Sequence, residues 1–371
     1  MKPKRTVLFF LQIPPPVHGS TVVGLQIKNS ELVNTNYNCH YINLLTSKKI
    51  NEIGKFSLGK FSRYLLILAK AVGKVIIHKP DLCYLAINSK GSAFYRDAFV
   101  VILLKLFRNK IVYHLHGKGV STRQENFIDN LLYRLIYKKT NVIMLSPHLY
   151  YDIQKYVSED SVFYCPNGVP DLFKIYRFKV KSDDKETVKI LFLSNMIISK
   201  GVFELLEACK ILHNKGINFK CTFAGDFVSI TEDLFRSKVL GLNIQNCVNY
   251  AGKKYGKEKE LEFLKADIFA FPTYYSNECF PLVLLEAMQH SLPIISTFVG
   301  GIPDIVQDNV TGFLITPNKP SELAAKLELL ISDKSLREIM GKNGRLRYEQ
   351  NYTLHHFEEN LNNILNNCMS Y

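Results

Sequence analysis

Two glutamates, Glu278 and Glu286, lie eight residues apart at the point where a short apolar run is followed by an apolar helix. The run from Asp267 to Pro272 is typical of a buried strand in a parallel sheet. Pro281 suits the first position of a helix, where its missing N–H is not needed. The free N–H groups and the positive dipole end of a helix start favour anions. This stretch therefore predicts a site that holds a phosphate-bearing ligand between two carboxylates.

The helix that follows Pro281 is apolar on almost every face from Leu282 to Met288, which predicts that it lies inside its domain. Glu286 is the exception, and a carboxylate on a buried helix is costly unless it is hydrogen-bonded or paired. We therefore expect a partner for it. Two glutamates at this spacing are also common as solvated residues on helix surfaces, so the rest of the chain has to support the site.

A lysine and a glycine stand at two other junctions between a strand and a helix. Lys200 follows a predicted strand at 188–194, where it can meet a phosphate as a mobile point charge; a lone surface lysine is the alternative. Gly19 follows the first predicted strand, and because it lacks a Cβ its backbone can approach a ligand closely. An ordinary tight turn would explain Gly19 equally well.

Two histidines, His114 and His116, end the strand that begins at Lys110. Ligands bind at the carboxyl ends of strands in open α/β sheets, which makes this pair a candidate site. Strand alternation puts both rings on one face, so metal binding has to be considered. No third ligand of comparable quality is apparent in the sequence, and zinc sites need at least three. We therefore predict no metal here.

The pattern along the chain predicts an α/β protein with two domains, since 371 residues suffice for two ordinary cores. A charged stretch without apolar period, from Asp171 to Glu186, interrupts the alternation of strands and helices. The predicted divisions are an N-terminal domain at 1–172, a linker at 173–186, a C-terminal domain at 187–352 and a final helix at 353–371 that can return to the first domain. Predicted strands are 6–12, 38–43, 80–86, 110–115, 140–145, 161–165, 188–194, 218–224, 247–251, 267–272 and 292–296.

Charge is distributed unevenly over the net +14 of the chain. Residues 1–180 hold 26 Lys and Arg against 10 Asp and Glu, whereas residues 181–371 hold 21 against 23. The basic half indicates an anionic partner: a membrane, an acidic acceptor or nucleic acid. No nucleic-acid-binding module accompanies the charge, so we predict no nucleic acid. A predicted helix over 57–75 mixes basic and apolar residues, which suits a bilayer interface; a core helix with a solvated basic face is the alternative.

Several classes of protein are not supported by the sequence. The eight cysteines are scattered without a CxxC pair, which favours reduced thiols in a cytoplasmic protein. Neither a signal peptide nor an apolar run long enough to span a membrane is expected. No G-x-G-x-x-G occurs, which argues against a dinucleotide cofactor. No Asp-x-Asp occurs either, so we expect Lys200 and helix starts to replace a metal at any diphosphate.

The E-x7-E spacing of Glu278 and Glu286, with Cys279-Phe280-Pro281-Leu282 between them, resembles the signature of the retaining nucleotide-sugar glycosyltransferases of family four. Further segments resemble that family in the same order along most of the chain. They are His116-Gly117, Pro166-Asn167-Gly168-Val169, Lys200, Gly300-Gly301-Ile302-Pro303-Asp304 and Gly312-Phe313. The segment Gly300-Gly301-Ile302-Pro303-Asp304 has Asp304 where the family has glutamate.

The resemblance implies the GT-B fold, in which two Rossmann-like, doubly wound parallel-sheet domains face a central cleft. It implies that Glu278 lies against the donor sugar, that Glu286 holds the ribose hydroxyls, and that His116 lies beside the sugar. The backbone of residues 279–282 would reach the sugar and diphosphate, and the loop at Gly19 would face the cleft. The family usually has an arginine where this chain has Asn195, which weakens the expected grip of Asn195 and Lys200 on the diphosphate.

The resemblance implies a retaining hexosyl- or N-acetylhexosaminyltransferase with a nucleotide diphosphate sugar as donor, and we expect it to be metal-independent. A glycan or lipid-linked acceptor is expected on the basic half, in bacterial surface polysaccharide biosynthesis at the inner face of the cell membrane. One alternative is a non-catalytic nucleotide-sugar- or glycan-binding assembly partner, which the departure at Asn195 supports. A nucleotide-sugar epimerase of the same architecture is a second alternative, but the E-x7-E arrangement does not support it.

Overall fold

Strands rich in Val, Ile, Leu and Phe alternate with helices in both halves of the chain, and each half forms its own six-stranded parallel sheet. The structure is a computed structural model that describes residues 3–45, 58–172 and 187–370. Two compact units result: Met1–Asn167 with His355–Tyr371, here the N-terminal unit, and Gly168–Leu354, here the C-terminal unit. The predicted linker at 173–186 lies outside the described residues.

The sheet of the N-terminal unit has the order β2-β1-β3-β4-β5-β6, with every neighbouring pair parallel. The four central strands are mostly buried, as is usual for a parallel sheet whose faces are covered by helices, whereas the edge strands β2 and β6 are partly exposed. The strands are β1 Thr6–Leu11, β2 Asn38–Asn43, β3 Leu82–Leu85, β4 Ile111–Leu115, β5 Asn141–Met144 and β6 Val162–Tyr164. The helices are α1 Gly19–Asn29, α2 Glu31–Asn36, α3 Leu58–His78, α4 Gly91–Leu106 and α5 Phe127–Tyr137, with two 3-10 helices at Pro147–Asp152 and Glu159–Ser161.

The sheet of the C-terminal unit has the order β12-β11-β10-β7-β8-β9, again parallel throughout. Its strands are β7 Val188–Leu193, β8 Phe219–Ala224, β9 Val248–Tyr250, β10 Ile268–Ala270, β11 Ile294–Thr297 and β12 Gly312–Ile315. A 3-10 helix covers Ile198–Lys200. The α-helices are α6 Val202–Asn214, α7 Glu232–Gly241, α8 Gly256–Lys265, α9 Leu282–Gln289, α10 Ile302–Ile305, α11 Pro320–Ser332 and α12 Lys334–Asn351. The chain's last helix, α13, covers Leu354–Ser370.

The predicted α/β fold with two parallel sheets is confirmed, and each predicted strand is present with slightly different ends. The sequence also predicts long helices over 319–350, and the structure has two there, α11 and α12. Asp333 separates them, because its Oδ1 accepts a hydrogen bond from the N–H of Leu336 at 2.8 Å and so caps the second helix. A carboxylate in that position ends one helix and starts the next.

The division between the two units comes earlier than the sequence predicts, after Asn167 instead of residue 172. Val169 explains the difference, because its backbone pairs with the end of the C-terminal unit: its N–H donates to Tyr352 O and its O accepts from Leu354 N, both at 3.0 Å. Helix α13 then packs within the N-terminal unit, where the hydroxyl of Tyr37 donates to Asn362 O at 3.0 Å.

Candidate functional site

The loop between β10 and α9 carries Glu278, and α9 itself carries Glu286, the two glutamates of the predicted site. Pro281 is the residue before the helix, with φ −69° and ψ 119°, and α9 begins at Leu282, one residue later than the sequence predicts. The carbonyl of Pro281 accepts the N–H of Leu284 at 3.2 Å. Because ψ of Pro281 is extended, its carbonyl can accept the first hydrogen bond of the helix while the preceding residues still belong to the loop. The first N–H groups of a helix, ahead of this bond, have no partners within the helix.

Glu278 is buried just ahead of this helix start, and its partner is Lys200. The Lys200 Nζ lies 2.5 Å from Glu278 Oε2, and the side chains are only 13% and 9% exposed. The hydroxyl of Thr273 also donates to Glu278 Oε2, at 3.4 Å. The sequence predicted both charged residues as parts of a ligand site but not this contact between them.

Lys200 is held in place by the backbone on either side of it and by two aromatic rings. Gly201 has φ +89°, and a Cβ there would lie 2.3 Å from the carbonyl oxygen of Pro272, so only glycine brings the two loops this close. The Lys200 Nζ lies 4.6 Å from the ring centroid of Tyr275 and 5.3 Å from that of Phe271. Aromatic faces attract a cation at such distances. The ammonium is therefore fixed beside Glu278.

Glu286 has its own lysine, which the sequence reasoning did not identify. The Lys259 Nζ of α8 lies 2.6 Å from Glu286 Oε1. Burial lowers the pKa of Lys259, but the carboxylates of Glu286 and Glu260 together outweigh that effect and the net pKa is raised. The other oxygen, Glu286 Oε2, is buried without a hydrogen-bond partner among the described residues. One oxygen of the carboxylate is thus held, and the other is available to accept a donor from a ligand.

A second ionisable contact joins α8 to the end of α9. His290 Nε2 lies 3.1 Å from Glu260 Oε2, with both side chains almost fully buried. The other ring nitrogen of His290 lies 2.8 Å from the carbonyl of Glu286, and the ring stacks on Phe263 at 5.1 Å. Together with Lys259, this contact holds α9 in a defined position against α8.

The two glycines of the Gly300-Gly301 loop lie directly beneath the Glu278 loop. Gly300 has φ +59°, and a Cβ there would lie 2.2 Å from the carbonyl oxygen of Glu278. The N–H of Gly301 donates to the carbonyl of Cys279 at 2.7 Å. The glycine-rich loop therefore positions the backbone that carries Glu278.

Of the remaining predicted residues of the C-terminal unit, three continue the chain from Glu278 into α9, and Asn195 follows β7. Cys279 and Phe280 are buried, and the ring of Phe280 packs 5.9 Å from that of Tyr352. Leu282 is half-buried as the first residue of α9. Asn195 is half-buried at the end of β7, and its carbonyl accepts the N–H of Ile197 at 2.8 Å. From Asn195 the backbone continues through the turn that leads to Lys200.

His116 and Gly19 belong to the N-terminal unit. His116 is half-buried after β4, and burial lowers its pKa to about 4. His114 is fully buried, its Nδ1 lies 2.5 Å from the hydroxyl of Tyr84, and its ring centroid is 4.1 Å from that of His116. Desolvation and then His116 hold the pKa of His114 well below its usual value. His114 is therefore a packed, hydrogen-bonded neighbour of His116.

Gly19 is the first residue of α1, and a Cβ placed on it would meet no atom within 4 Å. The described part of the protein therefore gives no steric reason for glycine at this position. Gly24, one turn later, differs, because a Cβ there would lie 2.1 Å from the carbonyl oxygen of Gln12. The space beside Gly19 is open to a ligand.

In the described ranges, no group of three or more His, Cys, Asp and Glu side chains could hold a metal ion. The absence of a metal requirement stays a prediction. Nor does any described helix have the length and apolarity to cross a membrane.

Sequence reasoning missed Lys259, Thr273 and Tyr275. Lys259 lies on a polar helix with five other charged residues, so no local pattern distinguishes it. Thr273 and Tyr275 lie between the predicted strand at 267–272 and Glu278. Their position directly after a buried strand is the feature of the sequence that could have identified them. The pairing of Lys259 on α8 with Glu286 on α9 could be recognised only from the three-dimensional structure.

Comparison with known proteins agrees with this arrangement. Residues 173–347 match the family model of glycosyl transferases group 1. A capsular polysaccharide biosynthesis glycosyltransferase of Staphylococcus aureus, CapM, is 32% identical over 175 residues, which are 47% of this chain and 45% of CapM. N-acetyl-alpha-D-glucosaminyl L-malate synthase of Bacillus anthracis is 26% identical over 91% of each chain. The match thus covers less than half of CapM but most of the synthase.

The fold of the whole chain is also known from solved structures. HepE of Anabaena, whose crystal structure contains UDP and glucose, has a TM-score of 0.72 at 18% identity, over 98% of this chain and 99% of that chain. At that identity the likeness concerns the fold alone. The chain therefore has the GT-B fold, and its residues 173–347 match the glycosyl transferases group 1 family.

Proposed function

We propose that the protein is a retaining glycosyltransferase that transfers a hexosyl or N-acetylhexosaminyl group from a nucleotide diphosphate sugar. The ion pair of Lys200 and Glu278 at the start of α9 carries this proposal. It places a fixed cation and a fixed carboxylate beside a helix N-terminus, where an anionic ligand binds well. The family of residues 173–347 and the bound UDP in the HepE structure support a nucleotide-sugar donor.

The chemistry follows from the charges. When the bond from the sugar to the diphosphate breaks, negative charge grows on the leaving oxygen and positive charge on the sugar. Lys200 and the N–H groups at the start of α9 stabilise the leaving group, and Glu278 stabilises the sugar. A diphosphate oxygen bound to Lys200 Nζ would lie close to Glu278, because only 2.5 Å separates that nitrogen from the carboxylate. Cation and carboxylate thus act on the two ends of the same bond.

The ribose of the donor is assigned to Glu286, in keeping with the resemblance. Its Oε2 is buried and has no partner in the described chain, while Lys259 holds its Oε1. A hydroxyl that donates to Oε2 would satisfy this acceptor, and an unsatisfied buried acceptor is costly. His116 keeps its predicted role beside the donor sugar, where its lowered pKa makes it a neutral hydrogen-bonding group at physiological pH.

The acceptor is proposed to be a glycan or lipid-linked glycan in bacterial surface polysaccharide biosynthesis. Two of the similar proteins bear names from that chemistry: CapM, and the amylovoran biosynthesis glycosyltransferase AmsK of Erwinia amylovora. The basic N-terminal half suits an acceptor on an anionic surface. We place the protein at the cytoplasmic face of the cell membrane, attached peripherally.

The test of the reaction is release of nucleoside diphosphate from a panel of nucleotide sugars, with Glu278→Gln and Lys200→Ala as variants. Glu278→Gln should abolish transfer while donor binding stays, since its charge matters most when the sugar becomes cationic. Lys200→Ala should weaken binding of donor and of free nucleoside diphosphate together. Near-normal turnover by Glu278→Gln would remove Glu278 from the catalytic role.

The same assay separates the proposal from a non-catalytic binding protein, whose support is Asn195 at the usual arginine position. A wild-type protein that binds a nucleotide sugar but releases no diphosphate with any donor and acceptor offered would be that binding protein. The linkage formed, read by NMR of the product, decides whether the anomeric configuration is retained.

The test of membrane attachment is sedimentation with vesicles at increasing salt. Each Lys or Arg near an anionic surface contributes about 1 kcal/mol, so attachment should be weak and should fall as salt screens the charges. Arg63 and the half-buried Lys74 lie on α3. Lys48, Lys49 and Lys55, also part of the predicted basic region, lie outside the described residues, and the structure does not describe the side chain of Lys60. Lys55, Lys60 and Arg63 changed to Glu together should weaken binding to anionic vesicles.

A further inference from the structure

The outer surface of α5 is apolar, although it faces solvent. Phe127 is 81% exposed, Ile128 59%, Leu131 58% and Leu135 45%. Their spacing places them along one side of the helix. The opposite side of α5 is buried through residues such as Tyr133 and Ile136. This helix therefore has two apolar faces, of which the protein covers only one.

Helices α3 and α4 show the same property. On α4, Phe99 is 63%, Leu106 78% and the following Phe107 45% exposed. On α3 the exposed large apolar residues are Leu65, Leu66, Ile76 and Ile77. Single exposed apolar residues are normal on a soluble protein, but a contiguous group marks an interaction surface.

The three helices form one layer on the same side of the sheet. The connections β2 to β3, β3 to β4 and β4 to β5 all run in one direction across the sheet, so right-handed crossovers place α3, α4 and α5 on the same face. Helix α4 contacts both of its neighbours: Tyr64 of α3 donates to Arg96 O at 3.2 Å, and Lys105 of α4 donates to Leu135 O at 3.0 Å. We call the exposed apolar side chains of α3, α4 and α5 the apolar layer.

The charge around the apolar layer is almost entirely positive. Residues 58–139 hold fifteen Lys and Arg against four Asp and Glu. The acids within these helices, Asp97 and Asp129, are buried and paired with Arg96 and Arg123. The exposed acid just before α5, Glu125, pairs with Lys155. Basic residues on and after α5 remain at the surface, namely Arg134, Lys138 and Lys139.

We propose that the apolar layer inserts into the interface of an anionic lipid bilayer, with the basic residues around it among the headgroups. Exposed aromatic and aliphatic side chains bordered by Lys and Arg, without exposed acids on the same helices, are the composition of an interfacial surface. A second copy of this chain fits less well, because pairing the layer with itself would bring two basic surfaces together. The proposal rests on the proposed membrane attachment and adds insertion by α4 and α5 to the charge of α3.

The experiment uses the absence of tryptophan from this chain. Phe127→Trp places a single fluorophore in the apolar layer, and Phe298→Trp places one at a 58% exposed position of the C-terminal unit as the matched control. Each protein is mixed with phosphatidylcholine vesicles with and without phosphatidylglycerol. With the anionic vesicles, emission of Phe127→Trp should shift to shorter wavelength and be quenched by lipids brominated in their acyl chains. Emission of Phe298→Trp should not change.

A second variant measures how much the apolar side chains contribute. The double variant Phe127→Ser and Leu131→Ser should weaken partitioning onto anionic vesicles about tenfold or more, a factor that corresponds to about 1.4 kcal/mol. Both side chains are exposed, so the fold should tolerate the change. The control is Leu240→Ser with Ile339→Ser, two apolar residues of the C-terminal unit that are 60% and 56% exposed.

The outcomes separate insertion from attachment and from self-association. Sedimentation with anionic vesicles, but without a blue shift or quenching of Phe127→Trp, would overturn insertion and leave charge attachment in place. A protein that sediments with no vesicle of either composition would overturn both insertion and charge attachment. Dimerisation in the absence of lipid that Leu131→Ser abolishes would assign the layer to a second copy. Release of nucleoside diphosphate from donor in solution, without vesicles, tests the proposed reaction independently.

Discussion

Glu278 and Glu286 are each paired with a lysine, but the two pairs leave different groups accessible. Lys200 binds the Oε2 of Glu278 beside two aromatic rings at the start of a helix. Lys259 binds one oxygen of Glu286 and leaves the other buried without a partner in the described chain. The first pair suits a ligand with both a negative and a developing positive end, and the second suits a ligand hydroxyl.

We predict that Lys259→Met destabilises the protein by about 2 kcal/mol, between the values for exposed and fully buried ion pairs. Glu286 would then be a mostly buried charge without its cation. The double variant Lys259→Met with Glu286→Gln should recover part of the loss, because it removes the unpaired charge. Denaturant unfolding measures both. Lys334→Met is the control, since the Lys334–Glu338 pair is 79% and 68% exposed; equal effects of the two methionine variants would contradict the prediction.

We predict that stability falls with acid in a window set by His116. Burial lowers its pKa from 6.5 to about 4, so below pH 6.5 the unfolded chain binds a proton that the folded protein does not. Stability should therefore decrease from about pH 6.5 down to about pH 4, with at most about 1.4 kcal/mol per pH unit from one proton. His116→Gln should make the measured dependence of unfolding free energy on pH less steep. His213→Gln, at an exposed histidine near the end of α6, is the control and should change the slope less than His116→Gln does.

At the scale of elements, strand ends and glycine-rich turns place the candidate site. Gly201 brings the Lys200 turn against the loop after β10, and Gly300 brings the turn after β11 against the backbone of Glu278. Both glycines have positive φ and would clash with a carbonyl oxygen if they carried a Cβ. The charged side chains meet because their backbones can approach so closely.

We predict that Gly300→Ala lowers stability and transfer more than Gly216→Ala does. Gly216 has φ +70° but no atom within 4 Å of its added Cβ, whereas at Gly300 the Cβ would lie 2.2 Å from Glu278 O. Both variants carry the strain of positive φ, of order 1 kcal/mol, and only Gly300→Ala must also move the Glu278 loop. Unfolding and diphosphate release measured on both variants test this. Equal losses would mean that the close approach does not position Glu278.

At the scale of the whole molecule, charge and chemistry are divided between the two units. The basic excess and the apolar layer belong to the N-terminal unit, whereas the ion pairs of Lys200 and Lys259 belong to the C-terminal unit. This division agrees with a proposal in which one unit carries the donor and the other carries the surface and acceptor.

We predict that transfer is unaffected by EDTA. The chain has no Asp-x-Asp, and Lys200 with the start of α9 is expected to stabilise the leaving diphosphate in place of a metal ion. Diphosphate release is measured before and after EDTA, and then with added Mg²⁺ or Mn²⁺. Activity that EDTA removes and a metal ion restores would disprove this prediction.

The sequence alone was sufficient to predict the architecture, because the patterns that indicate strands and helices are local. Apolar runs, helix periods and loop glycines recur with the spacing of βα units, and each predicted strand is present in the structure. The same local patterns marked the loop at Glu278 and the turn at Lys200. Element ends were less accurate, as with the helix start after Pro281, because capping contacts decide them.

Only the tertiary structure decided which groups contact one another. The pairs Lys200–Glu278 and Lys259–Glu286 join residues 78 and 27 positions apart, and no spacing rule relates them. The apolar layer could not be predicted from the sequence either, since an apolar residue on an amphipathic helix is predicted to be buried. Only the packing of α3, α4 and α5 shows which of these residues face solvent. Pairing and exposure depend on how elements far apart in the chain pack together, which a local pattern does not encode.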